Sequence, residues 1–158
     1  MLTFKKVQSD EDIKIFAKLK LELIEYHKMY AQMAGITDFE IENYDYNSAC
    51  KHINSRESYI LQINTTDIGI LQFEHQISDI DNINILYVHS LYICEKYRNK
   101  AFGIQVFKYL CNKYHTRIEC SCWYDIPATQ LYEKIGFKKM YTRYFLTTDN
   151  QFYDSDQN

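Results

Sequence analysis

Tyr97-Arg98-Asn99-Lys100-Ala101-Phe102-Gly103 is the stretch whose reading decides the fold. It separates two runs of different period. Before it, Ile83-Asn84-Ile85-Leu86-Tyr87-Val88-His89-Ser90-Leu91-Tyr92-Ile93 is rich in β-branched and aromatic residues, as a strand is. After it, Ile104, Phe107, Leu110 and Cys111 recur at helical spacing. The stretch is therefore a strand-to-helix turn. The first turn of a helix carries unpaired N–H groups and a partial positive charge, and small residues at 101 and 103 allow close approach to the backbone. An anionic diphosphate suits such a turn, with Arg98, Asn99, Lys100, Ala101, Phe102, Gly103 and Ile104 as its candidate contacts.

A second segment follows one expected strand later: Asp125-Ile126-Pro127-Ala128-Thr129-Gln130-Leu131-Tyr132-Glu133-Lys134-Ile135-Gly136-Phe137. Arg98-x-x-Ala101-x-Gly103 is similar to the Gln/Arg-x-x-Gly-x-Gly/Ala signature of the GNAT superfamily of acyl-CoA N-acyltransferases. Ala128-x-x-Leu131-Tyr132-Glu133-Lys134-x-Gly136-Phe137 resembles its second signature. Order and separation both match. The resemblance covers about residues 83 to 147, and the first half agrees only in its coarse order of elements. Two positions depart from the pattern: Ala101 stands where the family usually has Gly, and Asp125 where it often has Asn.

The 158 residues suit a single core, which 46% apolar and 16% aromatic residues can fill. With one proline, four glycines and no internal period, no linker is visible. One domain is expected over 1–148, followed by an acidic, loose tail over 149–158. The net charge of -3 is spread without a basic stripe, which argues against nucleic acid as a partner. There is no signal-peptide pattern and no long apolar run, so a cytoplasmic protein away from membranes is expected. Five cysteines (Cys50, Cys94, Cys111, Cys120 and Cys122) are an odd number without paired C-x-x-C spacing. They read as reduced thiols, with Cys120 and Cys122 as buried small hydrophobes and no metal site.

Leu2 to Val7 reads as a first strand, and Ser9-Asp10 caps a helix that turns Ile13, Phe16, Leu19, Leu23 and Tyr26 inward. Gly35 ends it. A second helix is expected from Glu40 or Tyr46 to Ile53, then a hairpin of strands 58–63 and 68–75 around the polar turn 64–67. A third antiparallel strand over 83–94, the helix after Gly103, a strand over 117–123, a helix over 127–135 and two closing strands complete an α+β order. The resemblance implies the GNAT fold. That is a mixed, mostly antiparallel sheet of about seven strands with helices on both faces, in which strands 4 and 5 splay to admit the pantetheine arm.

What the resemblance implies for single residues is equally specific. Tyr132 would stand near the cofactor sulfur and protonate the leaving thiolate. Packing is the competing role, and Leu131 and Phe137 are assigned to the core. His89 lies where the related arylalkylamine acetyltransferases have a histidine near the acceptor amine, and imidazole chemistry suits a general base. A hydrogen-bonded strand histidine is the alternative, and a bulge in this strand would change which side chains face the cleft. Tyr87 shares its nominal face. The backbone of Leu91, Tyr92 and Ile93 would pair with pantetheine, and Asp125 would complete the cofactor site. Acids and aromatics interleave over 38–46, so Glu40, with Tyr26 and Tyr30 on the first helix, is a candidate for binding a cationic acceptor.

The expected activity is transfer of an acetyl group from acetyl-CoA to a primary amine of a small cationic molecule, by direct attack and without a metal. Acetyl-CoA and the amine are the expected partners, with a homodimer as the candidate assembly. Peptide or protein N-acetylation, and a non-catalytic acyl-CoA sensor or interaction domain, are the alternatives.

Overall fold

In a computed structural model the described residues are 1–36, 44–123 and 126–140. The elements run β1 (Leu2–Lys6), α1 (Asp10–Met33), α2 (Tyr46–Ser55), β2 (Glu57–Ile63), β3 (Thr66–Ile77), β4 (Asn84–Ile93), a 3-10 turn (Glu95–Tyr97), α3 (Phe102–Tyr114), β5 (Arg117–Cys120) and α4 (Ala128–Ile135). The five strands form one sheet in sequence order. Each of the first three neighbouring pairs is antiparallel, and β4–β5 is parallel. A parallel step needs a crossover, and α3 supplies it.

Local chemistry explains the element boundaries. Ser9 and Asp12 close a reciprocal capping box at the start of α1, with both bonds at 3.2 Å. Such a cap contributes about 1 kcal/mol. At the other end Gly35, at φ +83, lets the Ile36 N–H reach back to the Ala31 carbonyl at 2.9 Å. Asp45 caps α2 through the Ser48 N–H at 2.8 Å. In the β2–β3 hairpin Asn64 and Thr65 both take positive φ, 48° and 67°, which gives a two-residue turn whose twist suits the strands.

The sheet carries helices on both faces. Leu61, Leu71, Phe73, Leu86 and Val88 pack against Val106, Phe107 and Leu110 of α3. On the opposite face Ile60, Ile70 and Tyr92 pack against Phe16, Leu19 and Leu23 of α1, and α2 joins them through Ala49 and Ala17. Burial of a side chain such as Phe16 or Phe107 contributes about 1.5–3 kcal/mol, so both helix layers are held by apolar contact.

Among the described residues the sheet has five strands; the two further closing strands expected fall on a region that lies largely outside those residues, as does the tail. Other expectations change. The strand expected over 117–123 stops at Cys120, and Pro127 caps α4 instead of opening it. The cysteines are free, as expected, but none is buried: Cys111 and Cys122 are exposed and Cys50, Cys94 and Cys120 half-buried. No helix among the described residues is long and apolar enough to cross a membrane.

Candidate active site

The turn between β4 and α3 is built from left-handed backbone. Asn99 and Ala101 both have φ of 59°, and Ala101 is the residue that caps α3. That conformation strains any side chain with a Cβ, which accounts for the glycine usual at position 101 in the family resembled. Ala101 offers no capping side chain, so the first N–H groups of α3 lack a side-chain partner at the cap. Gly103 has a packing task besides the one read in the sequence. A Cβ built there would stand 2.6 Å from Leu131 Cδ2, so its smallness lets α4 rest on α3.

Strand β4 leaves its neighbour just before this turn. Pairing with β5 runs from Ile85↔Arg117 to Val88↔Cys120 and stops, while pairing with β3 continues to Ile93. Pairing thus ends in the region where the splay is expected. The Cys94 N–H turns to Ile68 of β3, so by strand alternation the backbone groups of Leu91 and Ile93 turn to the open edge. The Ile93 carbonyl accepts from Arg98 Nε at 2.9 Å. Tyr92 pairs with Ile70 instead, and its ring lies on the α1 face.

On the α3 face, Tyr132 sits against Phe107 and Phe137 with ring centroids 5.9 and 5.4 Å away. Leu131, the residue before it, is the one that rests on Gly103, and Phe137 joins the core as expected. Burial, with Cys120 and Cys122 nearby, pushes the Tyr132 phenol far above its ordinary value. The phenol therefore holds its proton at neutral pH.

The α1 face carries a polar patch beside its apolar cluster. A bulge interrupts the β3–β4 register, Gln72 pairing with Ser90 and Phe73 with Val88, so His89 is the extra residue. Its Nε2 lies 2.7 Å from Glu74 Oε1, and its ring meets the Tyr87 edge at 4.9 Å. A carboxylate only accepts, so Nε2 donates to Glu74 and Nδ1 is the lone-pair nitrogen. Burial lowers the His89 pKa against the upward pull of Glu74. The ring is neutral at pH 7. Tyr87 Oη stands 2.7 Å from Ser121 Oγ, near the end of β5. Lys20 reaches Ser90 Oγ from α1, and Arg56 approaches the second Glu74 oxygen at 3.8 Å. Glu74, Lys20 and Arg56 escaped the sequence reading; recognising the bulge would have exposed Glu74, whereas nothing in the spacing signals the two cations.

Other expected residues fall into separate groups. Arg98 folds away from the turn, its guanidinium 4.7 Å from the Tyr26 ring centre and 5.5 Å from that of Tyr92. Tyr26 and Tyr30 join their hydroxyls at 3.2 Å, and Tyr92 Oη donates to Glu22 at 3.1 Å. An open cleft of about 750 Å³ adjoins this group, lined by Glu22, Tyr92, Cys94, Glu95 and Lys96 among others. A second, of about 360 Å³, lies between α3 and α4 and is lined in part by Ile104, Lys108 and Lys134. Leu91 packs on the α3-face core, Phe102 packs there too, and Lys100 Nζ is 5.5 Å from the Tyr97 ring centre. Glu40 and Asp125 lie outside the described residues.

No family model and no curated protein matches the chain. Solved structures do. An aminoglycoside N-acetyltransferase, AAC(6′)-Iy, in complex with CoA, superposes with a TM-score of 0.64 at 10% identity, over 95% of this chain and 96% of that one. The aminoglycoside acetyltransferase meta-AAC0020 from an uncultured soil metagenomic sample, in complex with sisomicin, gives 0.62 at 12% identity over 92% and 95%. The ribosomal-protein-alanine N-acetyltransferase of Brucella melitensis biovar Abortus 2308 gives 0.60 at 15% identity over 93% and 99%. The likeness is one of fold: this chain has the fold of the GNAT acetyltransferases over most of its length.

Proposed function

We propose that the protein is an acetyl-CoA-dependent N-acetyltransferase acting on the primary amine of a small molecule. The observation that carries this reading is the end of β4–β5 pairing at Val88, while β4 runs on unpaired on that edge to Ile93 and toward the turn at the start of α3. A slot between parted strands that leads to helix N–H groups suits an extended thiol arm ending in a diphosphate. The residues present fit such a cosubstrate. The N–H groups after Ala101 face the phosphates, the open backbone edge at Leu91 pairs with the arm, and Lys108 and Lys134 supply positive charge beside the α3–α4 cavity. Bound acetyl-CoA supplies an activated acetyl group as a thioester.

His89 and Tyr132 lie on opposite faces of the sheet and flank this slot. His89, held through Nε2 by Glu74, takes the proton of the acceptor amine on Nδ1, directly or through water. The amine nitrogen bonds to the acetyl carbon, the carbon–sulfur bond breaks, and the Tyr132 hydroxyl protonates the departing sulfur. The carbonyl oxygen, where charge develops, takes the strand N–H at the open edge. Each proton has a donor and an acceptor in this scheme. The Ile93 carbonyl already serves Arg98, which fixes the strand end next to the turn.

Calorimetry with coenzyme A, paired with acetyl-CoA turnover over a panel of small amines and peptides, tests the proposal. Coenzyme A binding with turnover of small amines in preference to peptides is the expected result. Binding without turnover of any amine would reduce the protein to a sensor, and a preference for peptides would replace the acceptor class.

A further inference from the structure

Resting on that reading, the charged side chains beneath α1 narrow the acceptor. Lys20 lies on the sheet-facing side of α1, and its ammonium meets Ser90 Oγ on β4. Among the described residues that hydroxyl is its hydrogen-bond partner, and none of the ion pairs includes it. Arg56 enters the same patch from the segment between α2 and β2. Its buried Nε has no hydrogen bond and stands 3.8 Å from Glu74 Oε2. Beside them Gln72, fully buried, gives its amide nitrogen to Ser58 Oγ at 3.0 Å, while its Oε1 is buried without a donor.

The charges do not balance. Among the described residues two basic side chains stand against one carboxylate, and Glu74 already serves His89 at 2.7 Å. A buried cation without a counter-charge is unfavourable, and here the deficit is local because Lys20 and Ser90 adjoin the bulge that carries His89. Burial, with Arg56 near it, draws Lys20 down to about 8, in keeping with an ammonium that no carboxylate among the described residues supports. The patch is nevertheless open to a ligand, since the side chains of His89, Glu74 and Arg56 keep 19%, 29% and 25% of their surface exposed.

We propose that Lys20 and Arg56 bind a carboxylate on the acceptor beside the amine that His89 deprotonates, making the acceptor an amino acid or a similar small zwitterion instead of a polycation. The spacing suits this ligand. In an α-amino acid one carbon separates amine from carboxylate, and here consecutive strand residues, His89 and Ser90, carry the base and the hydroxyl that meets Lys20. An arginine and a lysine are also the side chains suited to a desolvated carboxylate.

The test is kcat/KM at saturating acetyl-CoA for acceptor pairs that differ only by a carboxylate: glycine with methylamine, alanine with ethylamine, phenylalanine with phenethylamine, lysine with cadaverine. Rates are compared per free amine. The carboxylate member should be preferred at least about tenfold in one pair or more, and Lys20→Met should reduce that ratio by about tenfold while Lys20→Arg retains it. No carboxylate preference in any pair, or a preference that survives Lys20→Met, overturns the proposal. Arg56→Gln carries the same test if Lys20→Met does not fold. Coenzyme A calorimetry separates the two levels of failure. Coenzyme A bound and an amine acetylated without carboxylate preference overturns the anion site alone, whereas absence of coenzyme A binding overturns the enzyme reading and this inference with it.

Discussion

The two faces of β4 solve different problems with neighbouring residues. Toward α3, Leu86 and Val88 enter a dry cluster with Phe107, and the one functional candidate, Tyr132, is wrapped in aromatic rings. Toward α1, Tyr87, His89, Ser90 and Tyr92 meet Ser121, Glu74, Lys20 and Glu22, every one a polar partner. Burial keeps the phenol protonated on one face and the imidazole neutral on the other, where Glu74 also orients the ring. On the proposed reading the acid and the base of one reaction are separated by a sheet, and each side chain's environment sets its protonation state.

The sharpest way to break this contrast is to remove the phenol oxygen from the dry face. Tyr132→Phe keeps the ring and should lower kcat by about 10–1,000-fold with little change in acetyl-CoA affinity, the range for losing one positioned acid. Single-turnover kinetics decides it. An unchanged chemical step would leave Tyr132 as a packing residue.

The wet face answers to pH. With its pKa lowered by burial, His89 should give kcat/KM an acid limb below ~6.5, activity falling as the ring gains its proton. His89→Gln should abolish that limb. Glu74→Gln removes the carboxylate that favours the imidazolium, so it should move the limb to lower pH. Acceptor ionisation can produce a similar limb, so two acceptors of different pKa are needed, and an inflection that follows the acceptor removes His89 from the mechanism. The same lowered pKa makes the neutral ring favour folding above the unfolded value near ~6.5, a contribution lost as pH falls below it.

Gly103 joins the dry face to the turn. Gly103→Ala places a Cβ against Leu131, and overpacking of this kind costs about 1–3 kcal/mol in denaturant unfolding unless the Leu131 side chain swings aside. If stability holds while coenzyme A affinity falls, the glycine serves the ligand and not α4. The smallest effect belongs to Ala101→Gly. Relief of the left-handed backbone should leave coenzyme A binding equal or tighter and raise stability by up to about 1 kcal/mol. A large loss of binding would give the Ala101 methyl a contact of its own.

Local signals made much of this legible in the sequence. The β4–α3 turn, the Ser9 cap, the Gly35 stop and the polar hairpin all act within a few residues, and each was found at its place. Long-range geometry was not legible. The packing task of Gly103 depends on Leu131, 28 residues later, which no local pattern signals. Lys20 reads as one more polar residue on an amphipathic helix until Ser90, 70 residues away, is set beneath it. The contact of Arg98 with Tyr26 likewise joins residues far apart in sequence.

The extra residue at His89 also changes the length scale on which β4 can act. A regular strand presents successive side chains of one face about 7 Å apart, a distance suited to gripping the two ends of an extended molecule. With the bulge, His89 and Ser90 are consecutive in sequence and serve the same face, and on the proposed reading the strand acts at the spacing of neighbouring functional groups on a single carbon. Removing one residue there would restore regular pairing and would turn a small-molecule ruler back into a sheet.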